Sequence, residues 1–245
     1  MPSLQHRLER FAQRASTLAR AFLKQCANSL TLAGRYGQFR TMREWSCVDA
    51  YGRPIPWYTY PAIEYLSHID FSGMRVLEYG SGNSSLWWLG RCREVTSIEN
   101  DPVWHARISL QAAGKPGLHY RLERTEQAYV QQSGLREAQV VVIDGVHRSR
   151  CADAFVLACR DGPSAAMMLI FDNSDWYPKT IQKLRDSLDW LQVDFHGFGP
   201  INRYTSTTSI FINPHLAGKL AYTRPLASLA WIDNASANPD DMPAP

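Results

Sequence analysis

The sequence has little cysteine and no long apolar segment. None of its 245 residues belongs to an apolar run of the roughly 18 residues that a membrane-spanning helix needs, and its first residues lack the uninterrupted apolar stretch of a secretory signal. Its five cysteines form an odd set with no C-x-x-C pair and no nearby histidine at metal-finger spacing. We therefore predict reduced thiols and a cytoplasmic protein.

A large excess of either charge is also absent. The net charge of +3 and the pI near 8.6 are too mild to demand a nucleic-acid partner. With 45% apolar and 20% charged residues, the composition is that of neither a disordered nor a fibrous chain. It predicts one globular domain with appendages.

The basic residues are concentrated near the N-terminus. Residues 7–43 contain eight lysines and arginines and one glutamate. Apolar residues recur there at three- and four-residue spacing: Leu4, Leu8, Phe11, Ala15, Leu18, Ala19, Phe22 and Leu23. This spacing predicts an amphipathic helix over residues 4–30, within a basic extension of residues 1–44. Such a helix could dock on the domain or on a second copy of the chain, or it could bind nucleic acid or lie peripherally on an anionic membrane.

The remaining chain divides into three parts. Residues 45–72 form a lead-in rich in proline and aromatic residues, with a short helix expected at 62–68. Residues 73–213 form the main domain. Residues 214–245 form a tail whose last ten residues or so are expected to be disordered, because they are rich in Pro, Asp, Asn and Ala.

Brief apolar runs separated by helix-length segments fill the main domain. The runs fall at residues 75–79, 95–98, 119–122, 139–143, 167–171, 193–195 and 208–212. This alternation predicts an α/β fold with a Rossmann-like, doubly wound sheet of seven mostly parallel strands. The last two runs are joined by an irregular link too short for a crossover helix, so we expect the last strand to be antiparallel.

A glycine-rich turn follows the first of these strands. Gly80 and Gly82 let the backbone turn tightly and approach a ligand, at the point where a helix begins. Glu99 ends the next strand, about 20 residues later, where a carboxylate can accept ribose hydroxyls. The pair predicts a nucleoside-like ligand, although a tight βα turn can use two glycines for structural reasons alone.

Two features favour S-adenosylmethionine over a nicotinamide cofactor as that ligand. The third glycine of G-x-G-x-x-G is replaced by Ser85, and an acid, Glu78, stands two residues before the first glycine. A carboxylate at that position would repel a pyrophosphate, whereas it can receive the ammonium group of a ligand that also carries a sulfonium.

At these residues the chain resembles the class I S-adenosylmethionine-dependent methyltransferases, over roughly residues 55–213. Their E/D-x-G-x-G turn and the acid after their second strand match residues 78–82 and Glu99. The resemblance implies that the turn holds the methionine end of the ligand and Glu99 its ribose. The residues predicted to bind S-adenosylmethionine are Glu78, Gly80, Ser81, Gly82, Ser84, Glu99 and Asp144.

A second group of polar residues follows the fourth and fifth strands. Asp144, Asp172 and Asn173 fall where parallel strands deliver side chains to a ligand crevice, and they could hold a hard cation such as Mg²⁺. They also resemble the metal-binding set of catechol O-methyltransferase-type enzymes. Those enzymes carry a lysine base three residues after the first aspartate, and this chain has His147 there. We predict Asp144 and His147 as catalytic residues. The open alternatives are strand-terminating aspartates and a loop histidine.

A wider signature resembles a group of bacterial class I methyltransferases of unassigned substrate; it comprises residues 78–88, 98–104, 172–174 and 195–200 with Asp144, Gly145, Arg148 and Cys151. This resemblance implies the enzyme class and no substrate.

We expect methyl transfer from S-adenosylmethionine to the hydroxyl of a small molecule or saccharide, with nitrogen as the alternative acceptor. The aromatic residues expected in the acceptor pocket are Trp57, Tyr58, Tyr60, Trp176 and Tyr177. DNA is not an expected partner, because the fourth strand ends without the D/N-P-P-Y/W clamp or a Pro-Cys nucleophile. The alternatives are a catalytically silent binding module and a nicotinamide-dependent oxidoreductase.

Overall fold

The computed structural model describes residues 4–222. The expected disorder at the end of the tail lies outside these residues. The helices are α1 (Leu4–Leu30), α2 (Gln38–Glu44), α3 (Tyr60–Ser67), α4 (Asn83–Leu89), α5 (Pro102–Ala112), α6 (Glu126–Val130), α7 (Arg148–Arg160) and α8 (Pro178–Ser187). The strands are β1 (Ile69–Asp70), β2 (Arg75–Tyr79), β3 (Glu94–Glu99), β4 (Leu118–Leu122), β5 (Val140–Ile143), β6 (Met168–Asp172), β7 (Leu191–Phe198), β8 (Thr205–Ile212) and β9 (Ala221–Tyr222).

Seven strands form one sheet in the order β4-β3-β2-β5-β6-β8-β7. Strands β2 to β6 are parallel, and β8 runs antiparallel to both of its neighbours. The strand order reverses between β2 and β5, which is the switch point where ligands bind in open α/β sheets. This sheet confirms the predicted Rossmann-like fold, its seven strands and its antiparallel last strand.

Alternation along the central strands places an apolar layer on each face of the sheet. Val76 and Val142 point to the face covered by α3 and α4, whereas Leu77 and Ile143 point to the face covered by α6, α7 and α8. Because successive side chains of a strand point to opposite faces, such doubly covered strands are apolar along most of their length, and β5 is apolar throughout. Both layers exclude water from the sheet and leave the carboxyl ends of its strands as the place for polar chemistry.

The lead-in helix begins slightly earlier than its prediction. It starts at Tyr60 rather than at residue 62 because Pro61 lies in the first turn, where a missing backbone N–H costs no helical hydrogen bond. Tyr58, just before this helix, and Tyr60, its first residue, are buried in the apolar layer on this face of the sheet.

The N-terminal helix α1 has the predicted bounds, and its side chains stand in solvent. From Arg10 to Leu30 all are exposed except that of Cys26, which is partly buried. The expectation that this helix docks on the domain is therefore wrong for the described side chains: its apolar residues remain uncovered. None of the helices within residues 4–222 combines the length and the hydropathy needed to cross a membrane.

Candidate active site

The first predicted acid, Glu78, lies fully buried one residue before the end of β2. Its Oε2 accepts hydrogen bonds from the hydroxyls of Ser85 (2.5 Å) and Ser97 (3.0 Å). Its Oε1 accepts no well-aligned hydrogen bond among the described residues, although the Ser84 hydroxyl lies close enough to lower the pKa of this carboxyl. Burial raises the pKa of Glu78 to about 7, against the lowering effect of the serine hydroxyls. The site thus contains a carboxylate oxygen that can accept a further donor.

The glycine-rich turn follows directly. Gly80 has φ +106°, and its N–H donates to the carbonyl of Ile98 at 2.9 Å. A Cβ on Gly80 would lie 3.0 Å from the Cα of Gly145, so the turn after β2 and the turn after β5 touch at this point. Only glycine combines this backbone conformation with this approach.

Glu99, the second predicted acid, is held by the chain itself. Its Oε1 accepts from the backbone N–H groups of Asn100 (2.8 Å) and Asp101 (2.9 Å), and its Oε2 accepts from the Ser81 hydroxyl at 2.5 Å. A ribose hydroxyl would therefore share or displace the Ser81 contact. Asp101 caps α5 through the N–H groups of Val103 and Trp104, as a cap before a first-turn proline should.

Arg148, which begins α7, connects the turns after β5 and β6. Its guanidinium donates to Asp144 Oδ1 (3.0 Å) and Asn173 Oδ1 (3.0 Å), and also to the backbone carbonyls of Asp144, Gly145 and Asp172. The carboxylate of Asp172 is buried, and its Oδ1 accepts from the Thr208 hydroxyl at 2.6 Å. Arg148 belongs to the wider sequence signature, but only the fold reveals this role.

Burial raises the carboxyl pKa values in this cluster. The pKa of Asp144 rises to about 6 although Arg148 lowers it, and the pKa of Asp172 rises well above its usual range, with the charge of Asp144 adding to the effect of burial. The charge of Asp144 also raises the pKa of Glu78. Three acids therefore repel one another, and Arg148 is the one cation that hydrogen-bonds to any of them within residues 4–222.

The predicted metal set does not fit Mg²⁺ as the structure places it. Asp144 and Asn173 direct their oxygens at the Arg148 guanidinium, and Asp172 turns to Thr208. Across the part of the chain that the structure describes, no group of three His, Cys, Asp or Glu side chains could hold a metal ion. A fixed cation already occupies the centre of this set, because arginine binds carboxylate and amide oxygens through its planar donors.

His147 lies away from this cluster. It has left-handed backbone (φ +53°), its Nδ1 is 3.5 Å from Glu126 Oε2, and its ring contacts Tyr129 edge-on at 5.9 Å between centroids. It does not line the cavity described next. Of the two predicted catalytic residues, Asp144 therefore lines the cavity and His147 does not.

A cavity of about 490 Å³ opens beside the glycine-rich turn. Ser81, Gly82 and Ser84 line one side of it, and Asp144 and Arg148 line another. Of the predicted cofactor residues, Glu78, Gly80 and Glu99 do not line it. Its aromatic lining residues are Trp45, Trp57, Trp104, Trp176 and Tyr204.

Two of the five predicted pocket aromatics, Trp57 and Trp176, are among these. Tyr58 and Tyr60 belong to the core, and Tyr177 packs edge-on against Phe171. Trp45, Trp104 and Tyr204 escaped the sequence analysis because they come from three separate segments. A weak signal existed for Trp104, which follows Pro102 in the first turn of α5 next to the ligand acid.

Comparison with known proteins adds few constraints. No protein-family model and no curated protein matches the chain. Among solved structures, similarities include a dimethyladenosine transferase from Plasmodium falciparum (12% identity, 67% of this chain, 66% of that chain, TM-score 0.47). A second is TYW2 of M. jannaschii in complex with AdoMet (10% identity, 67% of this chain, 79% of that chain, TM-score 0.43). A third is the N-methyltransferase NodS of Bradyrhizobium japonicum with S-adenosyl-L-homocysteine (16% identity, 58% of this chain, 79% of that chain, TM-score 0.41). Such low identities and TM-scores assign no activity, so the function has to be inferred from the site.

Proposed function

We propose that this protein is an S-adenosylmethionine-dependent methyltransferase. The observation that carries the proposal is the buried Glu78 carboxylate, whose Oε1 accepts no well-aligned hydrogen bond in the described chain directly before a glycine-rich, helix-opening turn. A buried polar atom without a partner is costly, and an ammonium group or a water held by one would satisfy it. The surrounding acids, Asp144 and Asp172, favour a cationic ligand further.

The residues of the turn would hold the ligand in a fixed order. Glu78 would receive the ammonium group directly or through a bound water, and the backbone of residues 80–82 would hold the methionine end. Ser81 and Glu99 are joined by a hydrogen bond and lie where the ribose would come. S-adenosylmethionine bound there supplies an electrophilic methyl group.

The aromatic cavity would hold the acceptor, which we propose to be a hydroxyl of a small molecule or saccharide. Trp57 and Trp176 offer ring faces on which a sugar or a phenolic ring can pack, and Asn202 accepts a hydrogen bond from Trp57 Nε1 at 3.2 Å, which fixes that ring. Methyl transfer depends chiefly on holding the acceptor in line with the methyl group and on excluding water.

Asp144 is the residue we propose to accept the acceptor's proton. It lines the cavity, and its pKa near 6 leaves it charged at neutral pH while keeping it more basic than an ordinary aspartate. Arg148 fixes its orientation. His147, which bonds towards Glu126 instead, has no contact that would give it this role.

The proposal is tested by incubating the full chain with S-adenosylmethionine labelled in the methyl group and a fractionated cell extract, followed by mass analysis of labelled products. We expect transfer by the native chain, loss of transfer by Glu78→Gln, and retention of transfer by the control Glu137→Gln. Glu137 is an exposed acid just before the N-terminal end of β5, on the side of the sheet away from the carboxyl ends of the strands. Tight binding of NADH without affinity for S-adenosylhomocysteine would favour an oxidoreductase, and binding without any transfer would favour a silent module.

A further inference from the structure

The exposed face of α1 is an apolar surface without a partner in the described chain. Five large side chains on this helix are between 65% and 73% exposed: Phe11, Leu18, Phe22, Leu23 and Leu30. At 100° per residue these positions fall within one side of the helix, together with Ala15 and Ala19. Leaving this side of the helix in water is unfavourable, because transfer of apolar surface out of water lowers the free energy. Contiguous exposed apolar surface of this kind marks an interaction site.

The other side and the flanks of α1 are basic. Arg10, Arg14, Arg20 and Lys24 are all exposed, and no acid occurs between Arg10 and the end of α1 at Leu30. The Arg20 guanidinium donates hydrogen bonds to the backbone carbonyl and the hydroxyl of Ser16, one turn earlier in the helix. The helix therefore presents an uncompensated positive charge along its length.

We propose that α1 binds the anionic surface of a lipid bilayer, lying in the plane of the headgroups. An anionic bilayer satisfies both sides of the helix, because its acyl boundary takes the apolar side and its headgroups take the cations. Pairing with a second copy would bury the apolar side but would bring two basic helices together. Nucleic acid would meet the cations and leave the phenylalanines and leucines in water.

The segment after α1 continues the same character towards the cavity. On and just after α2, Phe39 and Trp45 are 65% and 67% exposed, and Trp45 lines the cavity. Trp45 thus belongs both to the exposed apolar residues that follow α1 and to one wall of the proposed acceptor site. The membrane contact itself does not depend on the proposed methyl transfer, and it can be tested separately.

The test is co-sedimentation of the full chain with vesicles. We expect binding to vesicles of phosphatidylcholine mixed with phosphatidylglycerol, and at least a tenfold weaker binding to phosphatidylcholine alone or in high salt. Replacing Phe11, Leu18 and Phe22 together by Asp should abolish the binding. Replacing Arg10, Arg14 and Lys24 together by Glu should abolish its preference for anionic lipid.

Matched controls separate the surface from general effects. Val103→Asp changes an equally exposed apolar residue of α5, and Lys115→Glu with Lys179→Glu changes exposed cations elsewhere; both should bind as the native chain does. Circular dichroism and S-adenosylhomocysteine binding report whether each variant is folded. Vesicle binding that survives the Asp replacements would overturn the proposal. So would a dimer in lipid-free solution that the same replacements dissociate, or binding to RNA but not to vesicles.

Discussion

The two sides of the candidate site use acidic residues differently. On the glycine side, at the ends of β2 and β3, Glu78 is bound by serine hydroxyls and keeps one oxygen without a well-aligned hydrogen bond among the described residues. On the arginine side, at the ends of β5 and β6, Arg148 neutralises Asp144 and ties together both turns. The two sides thus differ in whether a cation of the same chain reaches the acid: Arg148 hydrogen-bonds to Asp144, and no cation among the described residues hydrogen-bonds to Glu78.

The largest effect is expected on the arginine side. Arg148→Met should lower the free energy of unfolding by about 3–5 kcal/mol at pH 8, because it leaves the largely buried Asp144 carboxylate without its cation and removes the favourable charge beside Asp172. Arg148→Lys keeps the charge without the planar donors and should lose less. Chemical denaturation measures both.

The pH dependence of that loss tests the cause. Since the pKa of Asp144 is about 6, this carboxyl becomes neutral below that value and the cost of removing Arg148 should shrink at pH 5. Equal losses at pH 5 and pH 8 would show that Arg148 acts by packing and not by neutralising charge.

A substitution on the glycine side should have the opposite pH dependence: replacing Glu78 should become more favourable to stability as the pH rises. Because burial raises the pKa of Glu78 from 4.5 to about 7, the folded state holds the proton more tightly than the unfolded state does. The free energy of unfolding therefore falls as pH rises from about 4.5 through 7. Glu78→Gln should reduce this pH-dependent fall in the free energy of unfolding by on the order of 3 kcal/mol, which is the free-energy equivalent of the Glu78 pKa shift. Denaturation at pH 5 and pH 8 gives the difference, and an unchanged difference would contradict the buried, charged Glu78.

Glu99 should contribute less to stability and more to ligand binding. Glu99→Ala should weaken S-adenosylhomocysteine binding by about 1–3 kcal/mol, the cost of removing a charged hydrogen-bond partner. Ser81→Ala is its control: it removes the hydroxyl that occupies Glu99 Oε2 and should change affinity far less. Calorimetric titration measures both. If Glu99→Ala loses no more affinity than Ser81→Ala, the carboxylate adds nothing to ribose binding beyond its contact with Ser81.

His147 should matter least. His147→Ala removes a contact with the exposed Glu126 and an edge-on ring contact with Tyr129, so the free energy of unfolding should change by no more than about 0.5 kcal/mol. Turnover should remain near the native value, whereas Asp144→Asn should reduce it clearly. A deep loss with His147→Ala would restore the histidine as the base.

The contrast between the two sides also marks the limit of sequence reasoning. The seven strands and the glycine turn could be predicted because they depend on local alternation and on residues adjacent in the chain. Glu78 was found for the same reason. The role of Arg148 could not be predicted, since it depends on a guanidinium that reaches Asn173 in another turn 25 residues away.

Distance along the chain explains the other misses. Trp45 and Tyr204 reach the cavity from segments before and after the strands that form its floor. The amphipathic pattern of α1 was evident, but a pattern states which side is apolar and not what covers it. The metal prediction rested on residue types that arginine and Mg²⁺ both attract.

The central claim is that Glu78 receives a cationic sulfur nucleoside, and calorimetric titration of S-adenosylmethionine at pH 8 tests it most directly. We expect binding by the native chain and by Glu137→Gln, and binding at least tenfold weaker by Glu78→Gln, the change expected when a charged hydrogen bond is lost. Equal affinity of Glu78→Gln and the native chain, or no affinity of either, would contradict the claim.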